Sequence, residues 1–535
     1  MTTTAERVAY VLATFGVKQA FGVVGSGNFA VTNALRANGV PFVAARHECG
    51  ATVMADAYAR MSDQLTVVSL HQGPGLTNAL TGIAEASKSR TPMIVLAAEA
   101  PSAAVTSNFR IDQHAAVTAV GAVAERVHSP ESAMTDTARA VRTALRDRRT
   151  VVLNLPLDVQ AMPAGPGTPE LLGLRQRVRP AAEATRLVAE GLRQAERPVF
   201  IAGRGARHAG AELRALADAT GALLATSAAA HGLFADHPWS LGISGGFATP
   251  RTAELIAGAD LVVAWGCALN NWTSKHGTLL SRLVIQVDAD PTAFGKHHSN
   301  VTPVLGDAAL TAVDALAELD GHTQDGYRTE PVGTVRWRDV PHEDQTTSDR
   351  IDPHTLSARL DALLPADRVV SVDSGNFMGY PSAYLSVPDQ YGFCFTQAFQ
   401  SIGLGLATAI GAALAQPGRL PVAVLGDGGF LMGVAELETV VRLGIPMVIV
   451  VYNDAAYGAE IHHFGASSDL STVTFPDTDL AALATGFGCA GLTVRTPADL
   501  DGVTDWLTGP RDRPLLIDAK LTDDGGSWWL AEAFR

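Results

Sequence analysis

Apolar, β-branched runs that alternate with Ala- and Leu-rich stretches of helical spacing restrict the fold of this chain more than any other feature. Typical runs are TVVSL, PMIVLAA, PVAVLG and PMVIVVY. Continuous apolar runs of this length are typical of parallel strands that are buried on both faces. Strands that alternate with helices predict parallel sheets covered by helices on both sides. The sequence therefore predicts an α/β fold of doubly wound parallel sheets.

Three blocks of the chain show this alternation. A chain of 535 residues is too long for one hydrophobic core. Residues 1–165 and 350–535 form the outer blocks, and residues 180–325 form a middle block with strand-like runs such as RPVFIA and RLVIQV. Pro-rich or polar segments lie between the blocks, as expected of linkers. We predict three α/β domains with these limits.

The composition and net charge of the chain exclude some classes of function and location. The net charge is -14, with 47% apolar and 18% charged residues, so the chain should be globular and should not bind nucleic acid or anionic membranes. The four cysteines are scattered without a CxxC pair, which favours a reducing compartment. Glu6 and Arg7 interrupt the first apolar stretch, so it predicts an amphipathic helix rather than a signal peptide. We expect a cytoplasmic protein with no membrane span.

Polar residues end two neighbouring strand-like runs in the last block. Gly426, Asp427 and Gly428 end one run, and Asn453 and Asp454 end the next. Parallel strands joined by a helix end at the same sheet edge, where α/β proteins bind ligands. Glycine N–H groups can approach an anion there, and carboxylate and carboxamide oxygens suit Mg²⁺. The pattern predicts a metal ion that bridges a diphosphate.

This spacing resembles the signature of thiamine-diphosphate enzymes in the superfamily of acetolactate synthase, benzoylformate decarboxylase and pyruvate decarboxylase. The resemblance implies Mg²⁺ bound by Asp427, Asn453 and the Ala455 carbonyl, although Asp454 stands where the family usually has a second asparagine. It also implies that the three domains bind the pyrimidine, serve as a central unit and bind the diphosphate, in that order. The remaining cofactor-binding residues that it implies are Gly375, Asn376, Gln400, Ile402, Gly426, Gly428 and Gly429.

Glu48 is the expected partner of the aminopyrimidine ring. Thiamine chemistry needs a carboxylic acid hydrogen-bonded to that ring, in a place where burial favours proton sharing. In PFVAARHECGATVMADAYAR, Glu48 follows a strand-like run and opens a helical stretch, as the corresponding Glu does in the family. The alternative is a glutamate that is merely favoured at a helix N-terminus. The resemblance further implies a homodimer or homotetramer, in which Glu48 reaches the cofactor held by a second copy.

Several side chains resemble catalytic residues of different relatives. Ser26 and His71 resemble the substrate-binding Ser and catalytic His of benzoylformate decarboxylases, and Gln113 resembles the carboligase Gln of benzaldehyde lyase and acetolactate synthase. His114 and Glu460 stand where pyruvate decarboxylases have a paired His and a catalytic Glu. Each has a purely structural alternative, such as a turn serine that bonds its own backbone.

The resemblance implies a carboligase or lyase that decarboxylates a 2-oxo acid, pyruvate by default, and passes the acyl group to a carbonyl acceptor. A decarboxylase without ligation, an acyloin lyase and a non-catalytic cofactor-binding homologue are the alternatives. In the central block, AGRGARHAG resembles the turn that holds FAD or ADP in some relatives. A short glycine motif is weak evidence, so a scaffold role is preferred and FAD is the alternative.

Overall fold

Three six-stranded sheets form the framework of the molecule. The structure is a computed structural model and describes residues 2–170, 176–280, 283–329, 331–465, 467–523 and 525–530. Every strand pair within the three sheets is parallel. The predicted α/β class with three parallel-sheet domains is confirmed.

The first sheet has the strand order β2-β1-β3-β4-β6-β5. Its strands are β1 (Gln19–Gly22), β2 (Phe42–Ala44), β3 (Thr66–Leu70), β4 (Met93–Glu99), β5 (Val123–Arg126) and β6 (Thr150–Pro156). The helices of this part are α1 (Thr4–Thr14), α2 (Phe29–Ala37), α3 (Glu48–Ser62), α4 (Pro74–Lys88), α5 (Gln113–Ala119), α6 (Ala133–Asp147) and α7 (Leu157–Gln160).

The second sheet has the order β12-β11-β10-β7-β8-β9. Its strands are β7 (Pro198–Ala202), β8 (Leu223–Thr226), β9 (Ser240–Ile243), β10 (Leu261–Trp265), β11 (Leu283–Asp288) and β12 (Thr302–Leu305). The helices of this part are α8 (Ala182–Gln194), α9 (Gly210–Thr220), α10 (Pro250–Ala257), α11 (Asn271–Ser274) and α12 (Ala308–Glu318).

The third sheet has the order β14-β13-β15-β16-β18-β17. Its strands are β13 (Arg368–Val372), β14 (Phe393–Phe395), β15 (Leu420–Gly426), β16 (Val448–Asn453), β17 (Ala490–Val494) and β18 (Leu515–Lys520). The helices of this part are α13 (Pro353–Leu363), α14 (Gly379–Tyr384), α15 (Gly405–Ala415), α16 (Asp427–Gly433), α17 (Glu436–Arg442), α18 (Gly458–Phe464), α19 (Leu480–Phe487) and α20 (Asp501–Thr508).

The sheets agree with the predicted blocks, but the exact limits 1–165, 180–325 and 350–535 remain predictions. Residues 19–156, 198–305 and 368–520 contain the strands of the three sheets. Strands such as β3, β13 and β16 are buried along their whole length, because helices cover both faces of each sheet. Among the described residues, no helix is long and apolar enough to cross a bilayer.

Each sheet reverses its strand order beside its first strand. The chain leaves β1, β7 and β13 on one side and later returns to pair on the other side with β3, β10 and β15. Such switch points open a crevice at the carboxyl ends of the two strands, and ligands of α/β proteins bind there. The fold therefore has three switch points, one in each sheet.

The first and third sheets are joined through helices α3 and α15. A Cβ atom on Gly411 of α15 would lie only 2.1 Å from the carbonyl oxygen of Met54 in α3. Glycine at this position lets the two helix backbones approach closely. The outer domains of one chain are thus packed together through a tight helix pair.

Candidate active site

The crevice of the third sheet holds most of the predicted cofactor-binding residues. Gly375 and Asn376 follow β13, while Gly426 ends β15 and Asp427 begins α16. These residues therefore flank the switch point between β13 and β15, as predicted from the strand ends. Helix α16 directs its first N–H groups toward this crevice, which favours an anion there.

Asp427 and Asp454 bring two carboxyl groups together in this crevice. Their side chains are close enough to interact, and the side-chain amide of Asn376 lies beside Asp454 next to Gly458. Burial first, and then the charge of Asp454, raises the pKa of Asp427, and burial likewise raises the pKa of Asp454. Two buried carboxylates in contact repel each other unless a proton or a cation lies between them. The pair therefore has the chemistry of a divalent-cation site.

Asn453 and Ala455, the other predicted metal ligands, are engaged elsewhere. The Asn453 amide donates to the carboxylate of Asp518 at 2.8 Å, and its oxygen accepts from the N–H of Ala455 at 3.1 Å. The Ala455 carbonyl accepts from the N–H of Phe475 at 2.8 Å. Asn453 is the last residue of β16, and its side-chain amide is held by Asp518, whereas Asp454 follows the strand and lies beside Asp427. The structure thus corrects the predicted pairing: Asp454 rather than Asn453 stands beside Asp427.

The next carbonyl along the chain is better placed than that of Ala455. Among the described residues, no N–H donates to the carbonyl of Ala456, whereas the Ala455 carbonyl is occupied. Ala455 has a φ of 57°, in the left-handed region that a residue with a Cβ atom rarely adopts. This turn directs the chain from Asp454 toward Gly458, where a Cβ atom would lie 2.4 Å from the Asp454 carboxylate.

Asp373, which the sequence reasoning missed, joins the cofactor-binding segments. It is fully buried, and its carboxylate accepts from the N–H groups of Ser374, Gly403 and Leu404 at 2.9, 2.9 and 3.2 Å. Burial raises its pKa to about 6. A Cβ atom on Gly429 would lie 2.5 Å from this carboxylate. The sequence does contain a feature that could have identified Asp373: it follows a buried strand and comes just before a glycine turn.

Gln400 and Ile402 lie in the loop that Asp373 holds. Gln400 is exposed with a φ of 62°, and Ile402 is half-buried just before α15. The left-handed backbone at Gln400 is a strained conformation for a residue with a side chain, and such strain tends to occur at functional sites. Both residues precede Gly403 and Leu404, whose N–H groups donate to Asp373 after β13, and their contact with the cofactor remains a prediction.

Glu48 begins α3 at the carboxyl edge of the first sheet. Its carboxylate is half-buried and accepts from the side-chain amide of Asn78 at 3.1 Å. The Nδ1 atom of His47 accepts from the N–H of Cys49 at 3.1 Å and caps the helix. The predicted strand–Glu–helix order is therefore present, and the acid faces a sheet edge rather than the core.

Ser26 and His71 meet at the switch point of the same sheet. Ser26 follows β1 and His71 follows β3, and the Ser26 hydroxyl lies 3.5 Å from Nε2 of His71. The other ring nitrogen lies 3.0 Å from the carbonyl oxygen of Gln72, and Phe109 packs edge-on with its ring centre 5.1 Å away. The imidazole is thus held between the Gln72 carbonyl on one side and Ser26 on the other.

Gln113 is buried, and its amide is fully used within the chain. Its oxygen accepts from the N–H of Gly73 at 3.1 Å, and its nitrogen donates to the carbonyl of Ala98 at 3.1 Å and to Asn154 at 2.7 Å. An amide in this arrangement supports the turn after His71. The predicted contact with a substrate would require at least one of these bonds to break.

His114 and Glu460 are both exposed, on different helices. His114 lies on α5 and lines a polar cavity of about 710 Å³ together with Phe109, Glu99 and Arg126. Glu460 lies on α18, a short distance along the chain from Asp454. A second, smaller cavity of about 290 Å³ is lined by Asp427, Gly428 and Asn453, among others.

In the central domain, backbone contacts close the switch point. A Cβ atom on Gly203, after β7, would lie 2.3 Å from the carbonyl oxygen of Gly266, after β10. That same oxygen accepts from the N–H of Gly205 at 3.0 Å. The glycines of this turn are therefore explained by contact between the two strand ends.

Comparisons with known proteins identify three domains in this chain. Residues 2–120 match the N-terminal TPP binding domain of thiamine pyrophosphate enzymes, residues 185–317 the central domain and residues 373–519 the C-terminal TPP binding domain. The "Probable 2-ketoarginine decarboxylase AruI" of Pseudomonas aeruginosa is 33% identical over 93% of this chain and 90% of its own length.

Two further relatives have other activities in their names. The "Sulfoacetaldehyde acetyltransferase" of Castellaniella defragrans is 28% identical over 97% of this chain and 91% of its own. The "Putative acetolactate synthase large subunit IlvB2" of Mycobacterium tuberculosis is 29% identical over 90% of this chain and 92% of its own length. Because the matched domains follow the same order as the three sheets, the chain belongs to the family of thiamine pyrophosphate enzymes.

Proposed function

We propose that this enzyme decarboxylates a 2-oxo acid with thiamine diphosphate and Mg²⁺ and releases the product as an aldehyde. The observation that carries the proposal is the buried carboxyl pair Asp427–Asp454, at the switch point of the sheet that matches the TPP binding domain. Two carboxyl groups at that depth suit a divalent cation, and the adjoining helix N-terminus favours an anion. A metal ion bound to a diphosphate meets both requirements.

The residues around the crevice suggest how the cofactor would be held. Asp427, Asp454 and the Ala456 carbonyl would bind Mg²⁺, which replaces the predicted set of Asp427, Asn453 and Ala455. The diphosphate would contact the segments that contain Gly375, Asn376, Gly426, Gly428 and Gly429. Gln400 and Ile402 would contact the thiamine rings, and Glu48 of a second copy would bond to the aminopyrimidine.

The side chains above the first crevice would handle the substrate. Thiamine diphosphate supplies a nucleophilic carbon and accepts the electron pair that CO₂ loss leaves behind. Ser26 can donate a hydrogen bond to the substrate carboxylate, and His71 can move a proton at the reacting carbon. Glu460 is a second proton-carrying group on the Asp454 side, since it lies on the helix that follows that loop.

The hydrogen bonds that Gln113 makes within the chain favour release of an aldehyde over transfer of the acyl group to a second carbonyl. The carboligase interpretation assigns this amide to a carbonyl acceptor, yet all three of its bonds described above are made inside the chain. Ligation, as predicted from the sequence, is therefore the second candidate. It is supported by relatives whose names include acetyltransferase and acetolactate synthase.

We infer that the donor is longer and more polar than pyruvate. The cavity of about 710 Å³ begins at Phe109, which packs on His71, and extends to Glu99 and Arg126. Pyruvate would fill only a small part of such a space. The name of the P. aeruginosa relative also indicates a 2-oxo acid with a long polar side chain.

We further propose a homodimer or homotetramer that shares its active sites and works in the cytoplasm. Large apolar side chains are exposed at both half-sites: Val24 and Phe29 near Ser26, and Phe399, Leu431 and Met432 near the cofactor segments. Exposed apolar residues beside a binding site commonly mark a protein interface. The central domain would serve as scaffold without FAD, because strand-end contacts close its crevice.

Product analysis distinguishes the candidates. Purified enzyme with thiamine diphosphate and Mg²⁺ would receive pyruvate, longer 2-oxo acids and 2-ketoarginine, each with and without an aldehyde acceptor, beside a Glu48→Gln control. An aldehyde and CO₂, both absent in the control, are the expected products. An acyloin or a 2-hydroxy-2-acyl acid would support ligation instead. Cofactor binding without turnover of any donor would contradict both candidates.

A further inference from the structure

The backbone that leads into Glu48 is held by a carboxylate from the diphosphate-binding domain. Glu436, on α17, is 3% exposed, and its Oε1 atom accepts from the N–H groups of Arg46 and His47, both at 3.1 Å. Its other oxygen accepts from the hydroxyl of Thr439 at 2.7 Å. A Cβ atom on Gly50 would lie 2.5 Å from Oε1, so the turn of α3 fits closely around this carboxylate.

The reverse arrangement holds the backbone that leads into Gln400. Glu85, on α4 of the first domain, is fully buried, and its carboxylate accepts from the N–H groups of Ala398 and Phe399 at 3.1 and 2.6 Å. Arg60 lies 3.8 Å from the same carboxylate and donates to the carbonyl of Phe395 at 2.7 Å. The loop before Gln400 is thus held from the first domain at several points.

Both contacts join different domains of one chain, at the place where α3 and α15 pack tightly. Hydrogen bonds between an ionised carboxylate and backbone N–H groups are short and about twice as strong as neutral ones. Each glutamate also supplies the partner of two backbone N–H groups in a partly buried contact. The two loops therefore lose freedom relative to each other before any ligand binds.

We propose that Glu436 and Glu85 are positioning residues, each of which orients a loop of the other domain that binds the aminopyrimidine ring. Glu436 fixes the approach to Glu48, and Glu85 fixes the approach to Gln400 and Ile402, so each domain of a chain orients the cofactor-facing loop of the other. This role rests on the proposed function, in which Glu48 and Gln400 contact the thiamine ring. Because those two residues of one chain serve different cofactors in the shared-site arrangement, the contacts also link the two sites.

Hydrogen–deuterium exchange in the cofactor-free protein tests the contacts themselves. In Glu436→Ala and the milder Glu436→Gln, exchange of the Arg46 and His47 amides should rise by about tenfold, while residues 398–399 stay protected. In Glu85→Gln, exchange of the amides of residues 398–399 should rise, while those of Arg46 and His47 stay protected. Glu438→Gln is the matched control, since Glu438 lies on the same helix but pairs with the exposed side chain of Arg46 at 2.6 Å. Unchanged exchange at 46–47 in both Glu436 variants would overturn the proposal.

Exchange of the C2 proton of bound thiamine diphosphate tests the role. In Glu436→Gln this exchange should slow by about tenfold, while the Kd for the cofactor changes by less than about threefold. A merely structural role would instead lower thermal stability and cofactor affinity together and leave the exchange rate of the bound fraction unchanged, and that outcome would overturn the proposal. If the wild-type protein binds no thiamine diphosphate, the proposed function fails, and amide exchange still decides whether the loops are held.

Discussion

Two carboxyl groups define the chemistry of the crevice at the scale of single residues. Asp427 and Asp454 are buried beside each other, and the Asn376 side chain lies next to the second of them. Asn376 is itself oriented by Ser527, whose hydroxyl donates to its side-chain oxygen at 2.6 Å. This leaves the amide nitrogen to face Asp454. A divalent cation can displace the proton that the pair would otherwise hold and then bind to both carboxylates.

Asp454→Ala should raise the Kd for Mg²⁺, in the presence of thiamine diphosphate, by about 10- to 100-fold, because a ligand and a charge are lost. Asn453→Ala should change this Kd by less than about threefold, although it removes a bond to buried Asp518 and lowers stability. Isothermal titration calorimetry measures both. The opposite result, loss of metal only in Asn453→Ala, would restore the ligand set first predicted from the sequence.

Asp373 should make stability depend on pH. Its folded-state pKa of about 6 lies above the ordinary 3.8, so the folded protein binds this proton more tightly than the unfolded chain does. Its contribution to stability is therefore full below about pH 4 and is lost as the pH rises through about 6. The fall should be about 2 to 3 kcal/mol. Urea unfolding of cofactor-free wild type and Asp373→Asn between pH 4.5 and 7.5 should show a steeper slope in the wild type, because Asp427 and Asp454 titrate in both proteins. Equal slopes would contradict the assignment.

At the scale of elements, the tight pair α3–α15 joins the two cofactor domains of a chain. The glycine at position 411 and the small residues around it allow the helix backbones to touch. The loops before Glu48 and Ile402 lead directly into these two helices. The packing of this pair therefore sets how the two half-sites of one chain are spaced.

Gly411→Ala should lower the free energy of unfolding by about 1 to 3 kcal/mol, because the new methyl group would meet the Met54 carbonyl and force the helices apart. Gly418→Ala is the control, since a Cβ atom there meets no atom within 4 Å and the change should stay within about 0.5 kcal/mol. Urea unfolding of both variants makes the comparison. Equal stabilities would show that the pair is loosely packed.

Buried parallel strands and their polar carboxyl ends could be predicted because they depend on local pattern. The edge at Asp427 and the strand–helix context of Glu48 followed from that pattern alone. The partner of Asp427 could not be predicted, because the choice between Asn453 and Asp454 depends on which face of a strand end points into the crevice. The internal bonds of Gln113 and the contacts of Glu436 and Glu85 depend on residues far apart in the chain, and no local pattern contains them.

At the scale of the whole molecule, the proposed catalytic groups and metal ligands lie on the edges of two different sheets. Glu48, Ser26 and His71 belong to the first, whereas Asp427 and Asp454 belong to the third. Exposed apolar side chains accompany both edges, as expected if each edge meets the other edge of a second copy. In such a symmetric dimer, every site would take its acid from one chain and its metal ligands from the other.

A heterodimer of two inactive variants tests this account most directly. Glu48→Gln and Asp427→Ala chains would be co-expressed with different affinity tags and purified through both, and turnover of the accepted 2-oxo acid would be measured. If sites are shared, one site of the pair is fully wild-type and the heterodimer should have about half of the wild-type activity. If each site is built within one chain, both sites remain defective. Activity no higher than that of the separate variants would contradict a thiamine site formed between two copies.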